Sequence, residues 1–186
     1  MSIDFPAVLA DGIAIGRQGL RALHTSLLTH TPDQAVTILQ ETGYAAGSDV
    51  YWAFCAWLPG ATGVGKPEDI GASELSSVLS RFFRQAGWGN VAVASIGGGT
   101  LAIDSDDWAE AEPGSAEVPM CFLSAGMLAD FFGRLSGEPV GVMEVECRSR
   151  NDGRCRFLTA LPDRIQQIYE EIAQGKTYEE AVSAHP

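Results

Sequence analysis

Four side chains in the second half of this 186-residue chain have types and spacings that suit metal binding. Three are thiols and one is a carboxylate: Cys121, Glu144, Cys147 and Cys155. Three thiolates and one carboxylate make a complete tetrahedral ligand set for Zn²⁺. The spacing by itself leaves two other interpretations open, namely buried free thiols and a solvated basic hairpin. The remaining cysteine, Cys55, lies between apolar residues and is most simply a buried thiol.

A buried helix and a hairpin would have to position these side chains. Met120–Leu135 is apolar nearly all round, which predicts a buried helix. Cys121 begins this helix, where the helix N-terminus lowers the pKa of a thiol. Val140–Ser149 and Arg154–Ala160 are predicted to be the arms of a hairpin that turns at Asn151-Asp152-Gly153.

The spacing within the hairpin places a condition on the site. Cys147 and Cys155 lie on opposite arms, so their side chains can approach each other. Glu144 and Cys147 are three positions apart, which puts them on opposite faces of a regular strand. A bulge or the end of the strand must therefore bring the carboxylate to the side of the thiols.

The charge of the chain is unevenly distributed. The 24 acidic and 12 basic residues give a net charge of −12, which argues against nucleic acid and anionic membranes as partners because both require basic patches. Asp104–Glu117 holds six acids and no base, which predicts a solvated loop. Four of the bases flank the proposed ligands: Arg148, Arg150, Arg154 and Arg156. We expect them to compensate the net negative site and to keep its thiolates ionised.

The remaining segments predict an α+β domain, in which an antiparallel sheet of hairpins packs against helices. The predicted helical segments are Ile15–Thr29, one that begins at Thr31-Pro32 and runs to about Glu41 before a Gly43 cap, the aromatic-rich Asp49–Leu58 that stops at Pro59, Ser73–Ala86, Asp163–Gln174 and a short last helix capped by Thr177 and Glu180. The further predicted strands are Asn90–Ser95 and Thr100–Asp104. This order favours one domain over residues 1–186 and is unlike a doubly wound sheet.

The sequence carries no sign of secretion or of a membrane span. Met1–Pro6 contains Asp4 and lacks the basic region that opens a signal peptide. No apolar run approaches the roughly 20 residues that a membrane-spanning helix needs. We therefore expect a reducing, cytoplasmic location.

No set of residues in the sequence is typical of catalysis. Gly60–Pro67 approaches a phosphate-binding loop, but proline stands where that loop has serine or threonine, so a Gly-rich connection is favoured. His24, His30 and His185 have no partners at the spacing of a catalytic triad or of a Cys–His pair. These observations favour a binding protein over an enzyme.

Four short motifs, taken with their order and spacing, resemble a known family. They are Cys121-Phe122-Leu123-Ser124-Ala125-Gly126, Gly137-Glu138-Pro139-Val140, Glu144-Val145-Glu146-Cys147 and Gly153-Arg154-Cys155-Arg156-Phe157. The chain is similar to the 4-vinyl-reductase domain family, most closely over Val118–Leu161 and more loosely over Gly16–Asp106. That family includes sensor domains of bacterial phenol- and xylene-responsive activators and a bacteriochlorophyll-biosynthesis protein. It shares its fold with the palmitate-binding subunits of the TRAPP vesicle-tethering complex.

The resemblance implies a structural zinc site. In the phenol sensors a cysteine before the central helix, a Glu-x-x-Cys and a later cysteine bind zinc. That pattern falls here on Cys121, Glu144, Cys147 and Cys155. The same sensors anchor the phenol hydroxyl with a histidine and a tryptophan, whereas no histidine lies between His30 and His185 in this chain. A phenol held in that way is therefore not expected.

The resemblance also implies a chamber for a small apolar or aromatic ligand. Aromatic residues at helical spacing are usually core, but in this fold some line a space between helices and sheet. The candidates are Trp52, Phe54, Trp57, Phe82, Trp88, Phe122 and Phe132. A homodimer is a further expectation from the resemblance.

Three functions follow as hypotheses. The leading one is binding of a small hydrophobic molecule, as a sensor or carrier, with zinc holding the hairpin against the central helix. The second is a catalytic or accessory role in tetrapyrrole vinyl reduction; it depends only on the family's name, since Gly97-Gly98-Gly99 lacks the helix of a dinucleotide-binding turn. The third is a protein-interaction module, which an exposed apolar patch and a stable dimer without a pocket would favour.

Overall fold

The computed structural model of the protein describes residues 15–184, which form helices and one antiparallel sheet. The helices are α1 (Arg17–His30), α2 (Pro32–Thr62), α3 (Ala72–Gln85), α4 (Phe122–Ser136), α5 (Pro162–Ala173) and α6 (Tyr178–Ser183). The strands are β1 (Ala92–Gly97), β2 (Thr100–Ser105), β3 (Gly141–Glu146) and β4 (Cys155–Ala160). The predicted α+β class, with antiparallel hairpins packed against helices, is confirmed. His185 and Met1–Pro6 lie outside the described residues.

The four strands lie in the order β1-β2-β4-β3, and every neighbouring pair is antiparallel. Successive side chains of a strand point to opposite faces, so each strand serves two cores. Ile103 and Phe157 face the larger core, which α2, α3 and α4 cover. Ala102 and Leu158 face a smaller core, which α5 and α6 cover. The sheet is therefore buried on both sides.

Helix α2 differs from the sequence prediction. Instead of a helix that ends near Gly43 and a separate segment over 49–58, the chain forms one helix of 31 residues. Gly43 and Gly47 lie inside it and are buried. Glycine weakens an isolated helix by about 1 kcal/mol relative to alanine, but here both glycines pack against the backbone of α4, and that packing outweighs the local preference. Pro59 falls in the last turn, before a left-handed cap at Gly63.

Aromatic rings fill the space between α2, α3 and α4. Phe54 lies 5.2 Å from Phe82 and 5.5 Å from Phe131 between ring centroids, and both pairs are edge-to-face. Phe83 lies 5.2 Å from Phe131. These separations are those of rings in direct contact, so the aromatic side chains form a packed core.

None of the helices within residues 15–184 combines the length and the apolar character that crossing a membrane requires.

Candidate metal centre

Three elements bring the four predicted ligands together. Cys121 is the N-cap residue of α4, Cys147 directly follows β3, and Cys155 begins β4. All three thiols are buried. The Cys121 Sγ atom lies 3.8 Å from that of Cys147 and 4.0 Å from that of Cys155. With a carboxylate oxygen of Glu144, all the ligand atoms lie within 4.8 Å of one another, so the cluster can hold a metal ion.

A bulge in β3 places the carboxylate on the side of the thiols, as the spacing requires. Glu144 pairs with Phe157, but Glu146 pairs with Arg156, so two residues of β3 advance against one of β4. Val145 packs against the smaller core, and Glu146 accepts a hydrogen bond from Tyr178 of α6 on the same face. Cys147 therefore returns to the face of Glu144. The predicted irregularity is confirmed.

The tight turn after β3 fixes the position of Cys147. Its backbone N–H donates to Oδ2 of Asp152 at 2.7 Å, and its carbonyl accepts from the N–H groups of Arg150 and Asp152. Asn151 adopts a left-handed conformation, with φ of 67°, which asparagine tolerates better than most residues. The turn is thus closed by its own backbone and presents the thiol inward.

Glu144 has one oxygen engaged and one unpartnered. Its Oε2 atom accepts the backbone N–H of Cys121 at 2.9 Å. Its Oε1 atom is buried and has no hydrogen-bond partner within the described residues. A buried carboxylate oxygen without a donor is costly unless a cation meets it. The cluster therefore fits a metal ion by its chemistry as well as by its distances.

Protonation of the metal-free cluster follows the same logic. Burial, with the neighbouring Cys147 thiolate, raises the pKa of Glu144 to about 8. Hydrogen bonds from the Cys121 and Cys155 thiols lower the pKa of Cys147 far below its usual range. The pKa of Cys121 is raised, first because its proton is donated to Cys147. The prediction that the helix N-terminus lowers the pKa of Cys121 is thus wrong for the metal-free cluster: one thiolate is shared, and Cys147 carries it.

The four arginines do not compensate this cluster in the expected way. Arg156 forms two 2.7 Å hydrogen bonds to Asp104, and Arg154 pairs with Glu146. Arg150 pairs with Asp152 in the turn. Their ion pairs are therefore with carboxylates around the hairpin, because the guanidinium groups lie beyond the buried thiols.

The acidic segment before α4 is not the solvated loop that its composition predicts. Trp108 is completely buried and donates from Nε1 to Oγ of Ser124 at 2.7 Å. The Glu110 side chain is also fully buried. Its two oxygens accept the backbone N–H groups of Leu123 and Ser124 at 3.0 and 2.7 Å, and it also accepts the Ser124 hydroxyl.

Glu110 is a structural residue of this site that sequence reasoning missed. A helix N-terminus needs acceptors for its free N–H groups, and the N-cap residue Cys121 supplies no side-chain cap. An acid-rich run ahead of a helix without its own capping side chain is the signal that could have indicated such a residue. Glu110 and Glu144 together satisfy three N–H groups at this one helix end.

The candidate pocket residues are divided by the structure. Phe54, Trp57, Phe82 and Phe132 are buried in the larger core. Trp88 and Phe122 are half-buried, and the Trp88 ring stacks on that of Trp108 at 5.4 Å. Trp52 is 62% exposed and does not share the buried cluster. Contact of any of them with a ligand stays a prediction.

Comparison with known proteins gives the segment around the centre a family. Residues 105–160 match the family model of the 4-vinyl-reductase domain. An uncharacterized protein of Methanocaldococcus jannaschii, MJ0745, is 31% identical over 81 residues, which are 44% of this chain and 44% of that protein. The chain thus spans less than half the length of this curated relative.

Two solved structures are similar in shape. The phenol-responsive sensory domain of the transcription activator PoxR, crystallised with phenol, matches with a TM-score of 0.59 and 17% identity over 88% of this chain and 83% of that one. A vinyl-4-reductase family protein from Methanocaldococcus jannaschii matches with a TM-score of 0.47 and 20% identity over 65% and 66%. The first likeness shows a shared fold. Together with the family match, it confirms the predicted resemblance to the 4-vinyl-reductase domain, whose matched segment, residues 105–160, contains all four proposed ligands.

Proposed function

We propose that this protein binds a small apolar molecule, as a sensor or a carrier, and that a structural zinc ion ties its β3–β4 turn to the start of α4. The observation that carries the proposal is the buried cluster of three thiols and one carboxylate with an unpartnered oxygen. The PoxR sensory domain, which shares the fold and was solved with phenol, supports the ligand class.

Zinc suits the cluster better than other common metals. Tetrahedral Zn²⁺ with Zn–S bonds of about 2.3 Å places its sulfur ligands about 3.8 Å apart. The Sγ separations from Cys121 are 3.8 and 4.0 Å, which are already near that value. Thiolate ligands disfavour magnesium and calcium, which prefer oxygen. A bound ion would replace the shared thiol protons with one divalent charge and would meet the free oxygen of Glu144.

The proposed ion has a structural task. All four ligands come from the protein, so no coordination position is left open for a substrate. Cys121 belongs to the start of α4, whereas Cys147 and Cys155 border the hairpin turn. Metal bonds to all three hold the end of the sheet against the helix that lines the aromatic core.

The aromatic interior favours a ligand without a hydroxyl group. Two indole N–H groups lie in it, and both are engaged: Trp57 donates to Gln85 at 2.6 Å and Trp108 donates to Ser124. A hydroxyl placed among the phenyl rings would meet no free acceptor there and would lose its hydrogen bonds to water. Because the rings already touch, binding must also move them apart.

Zinc stoichiometry is the first measurement. We expect native mass spectrometry of protein purified with a thiol reductant and without chelator to show one zinc ion per chain. The same spectrum reports any co-purified organic ligand and the oligomeric state, for which the resemblance leads us to expect a homodimer. Protein that is folded and carries well below one equivalent of zinc would contradict the metal assignment.

Ligand preference is the second measurement. We expect toluene to bind at least as tightly as phenol, since the interior offers the hydroxyl no free partner. Tryptophan fluorescence reports this, because Trp57 lies in the aromatic core. A Trp57→Phe variant, which keeps an aromatic ring, serves as the control for the origin of the signal. Tighter binding of phenol than of toluene would refute the preference, and saturable binding of neither, with no co-purified ligand, would refute the binding proposal.

A further inference from the structure

Helix α1 is attached to the rest of the protein mainly through its sides and ends. Of its residues Arg17–His30, only His24 is buried. Its leucines at 20, 27 and 28 are half-buried, and Leu23 is exposed. Among the described residues, neither of the two hydrophobic cores includes a member of α1. The position of this helix must therefore depend strongly on the few polar contacts that it makes.

Those polar contacts converge on one segment. His24 Nε2 lies 2.9 Å from Oε1 of the fully buried Glu110, although the ring N–H is not aligned well enough to form a hydrogen bond. Arg17 donates to the carbonyl of Asp107 at 3.3 Å, and Arg21 pairs with Glu112. The arginine contacts are exposed and contribute little, whereas the His24 contact is shielded from water.

The carboxylate that His24 meets is the one that caps α4. Glu110 binds the N–H groups of Leu123 and Ser124, while Glu144 binds the N–H of Cys121 in the same turn. The first turn of α4 is thus held by one carboxylate of the metal cluster and by one carboxylate that contacts α1. A single turn of helix separates the two.

From this arrangement we propose that metal occupancy and docking of α1 are coupled through Glu110, which acts as a positioning residue; the inference rests on the zinc site of the proposed function. Metal bonds to Cys121 and Glu144 fix the first turn of α4. The fixed turn orders the donors that hold Glu110, and the ordered carboxylate receives His24. Because coupling is reciprocal, a docked α1 must strengthen metal binding by the same factor by which the metal strengthens docking.

The coupling is tested by zinc affinity in reduced, full-length protein. Competition with a chromogenic zinc chelator gives the dissociation constant for His24→Ala and Glu110→Gln. We expect both variants to bind zinc at least about fivefold more weakly than the parent, as a coupling of ordinary size would give. His24→Gln, which restores a donor near the carboxylate, is expected to recover part of that loss.

Two control variants separate coupling from general destabilisation. Arg21→Ala removes an exposed contact between α1 and the same segment, and its zinc affinity is expected to stay within twofold of the parent. Thr177→Ala removes the capping box of α6, away from the centre, and lowers stability without touching α4. An equal loss of zinc affinity in Thr177→Ala and His24→Ala would overturn the proposal.

Hydrogen exchange gives an independent readout. Amides of α1 are expected to exchange several-fold faster after zinc is removed with chelator, while those of α5, on the other face of the sheet, change less. Unchanged α1 exchange in folded, zinc-free protein would overturn the coupling while leaving the zinc site intact. A parent protein that binds no zinc would overturn both this inference and the proposed function, so the two failures are distinguishable.

Discussion

Replacing Cys147 with serine is expected to abolish stoichiometric zinc binding and to cause one of the two largest losses of stability. Cys147 carries the thiolate of the metal-free cluster, and its backbone is fixed by the turn that follows β3. A serine hydroxyl is a poor zinc ligand, and it leaves Glu144 and two thiols around an incomplete site. At free zinc about 1,000 times the dissociation constant, the lost linkage amounts to about 4 kcal/mol.

The measurement is urea unfolding of the parent and the variant, with and without zinc, under reducing conditions. Cys55→Ser is the matched control, because Cys55 lies on α2 outside the cluster. We expect this control to keep full zinc occupancy and to respond to added zinc as the parent does. A Cys147→Ser protein that retains one zinc ion and the parent's stability would show that Cys147 is not a ligand.

Gly126→Ala is expected to destabilise the protein by about 3 kcal/mol or more, as an overpacked helix contact does. Gly126 lies on α4 where it crosses α2. An added Cβ atom there would overlap the carbonyl oxygen of Gln40 and lie 2.8 Å from the backbone nitrogen of Tyr44. Both obstacles are backbone atoms, so no change of side-chain rotamer relieves the overlap and the helices must separate.

A second glycine of α4 provides the control for this prediction. At Gly133 an added Cβ atom would meet the carbonyl oxygen of Glu138 at 3.5 Å, which is an ordinary contact. Gly133→Ala is therefore expected to be neutral or stabilising by up to about 1 kcal/mol, because alanine has the higher helix propensity. Urea unfolding of both variants decides the matter. A loss below about 1 kcal/mol for Gly126→Ala would mean that α2 and α4 do not approach each other this closely.

The sequence predicted those parts of the fold that depend on local patterns. Helix α3 follows from its apolar periodicity, and the capping box of Thr177 and Glu180 is present at the start of α6. The β3–β4 hairpin forms on either side of Asn151 as predicted. The ligand cluster also follows, since its residue types are rare in this chain and the hairpin and helix bring them to one end of the sheet.

Features that depend on distant contacts were not predictable in this way. Gly43 has the local character of a helix end, yet it lies within α2 because a partner helix packs on it. Composition made the segment before α4 appear solvated, but Trp108 and Glu110 are buried there by contacts with Ser124. In each case the stabilising partner is far away in sequence, so no local window of residues contains it.

The bulge in β3 also limits how the length of the chain can change at this point. The extra residue allows Val145 to pack against the smaller core and Glu146 to meet Tyr178, while Glu144 and Cys147 still share the opposite face. Removing one residue would keep the two ligands together but would take away either the apolar contact or the carboxylate next to α6. Inserting one would turn Cys147 away from Glu144. The length of this short segment is therefore constrained from both faces of the sheet at once.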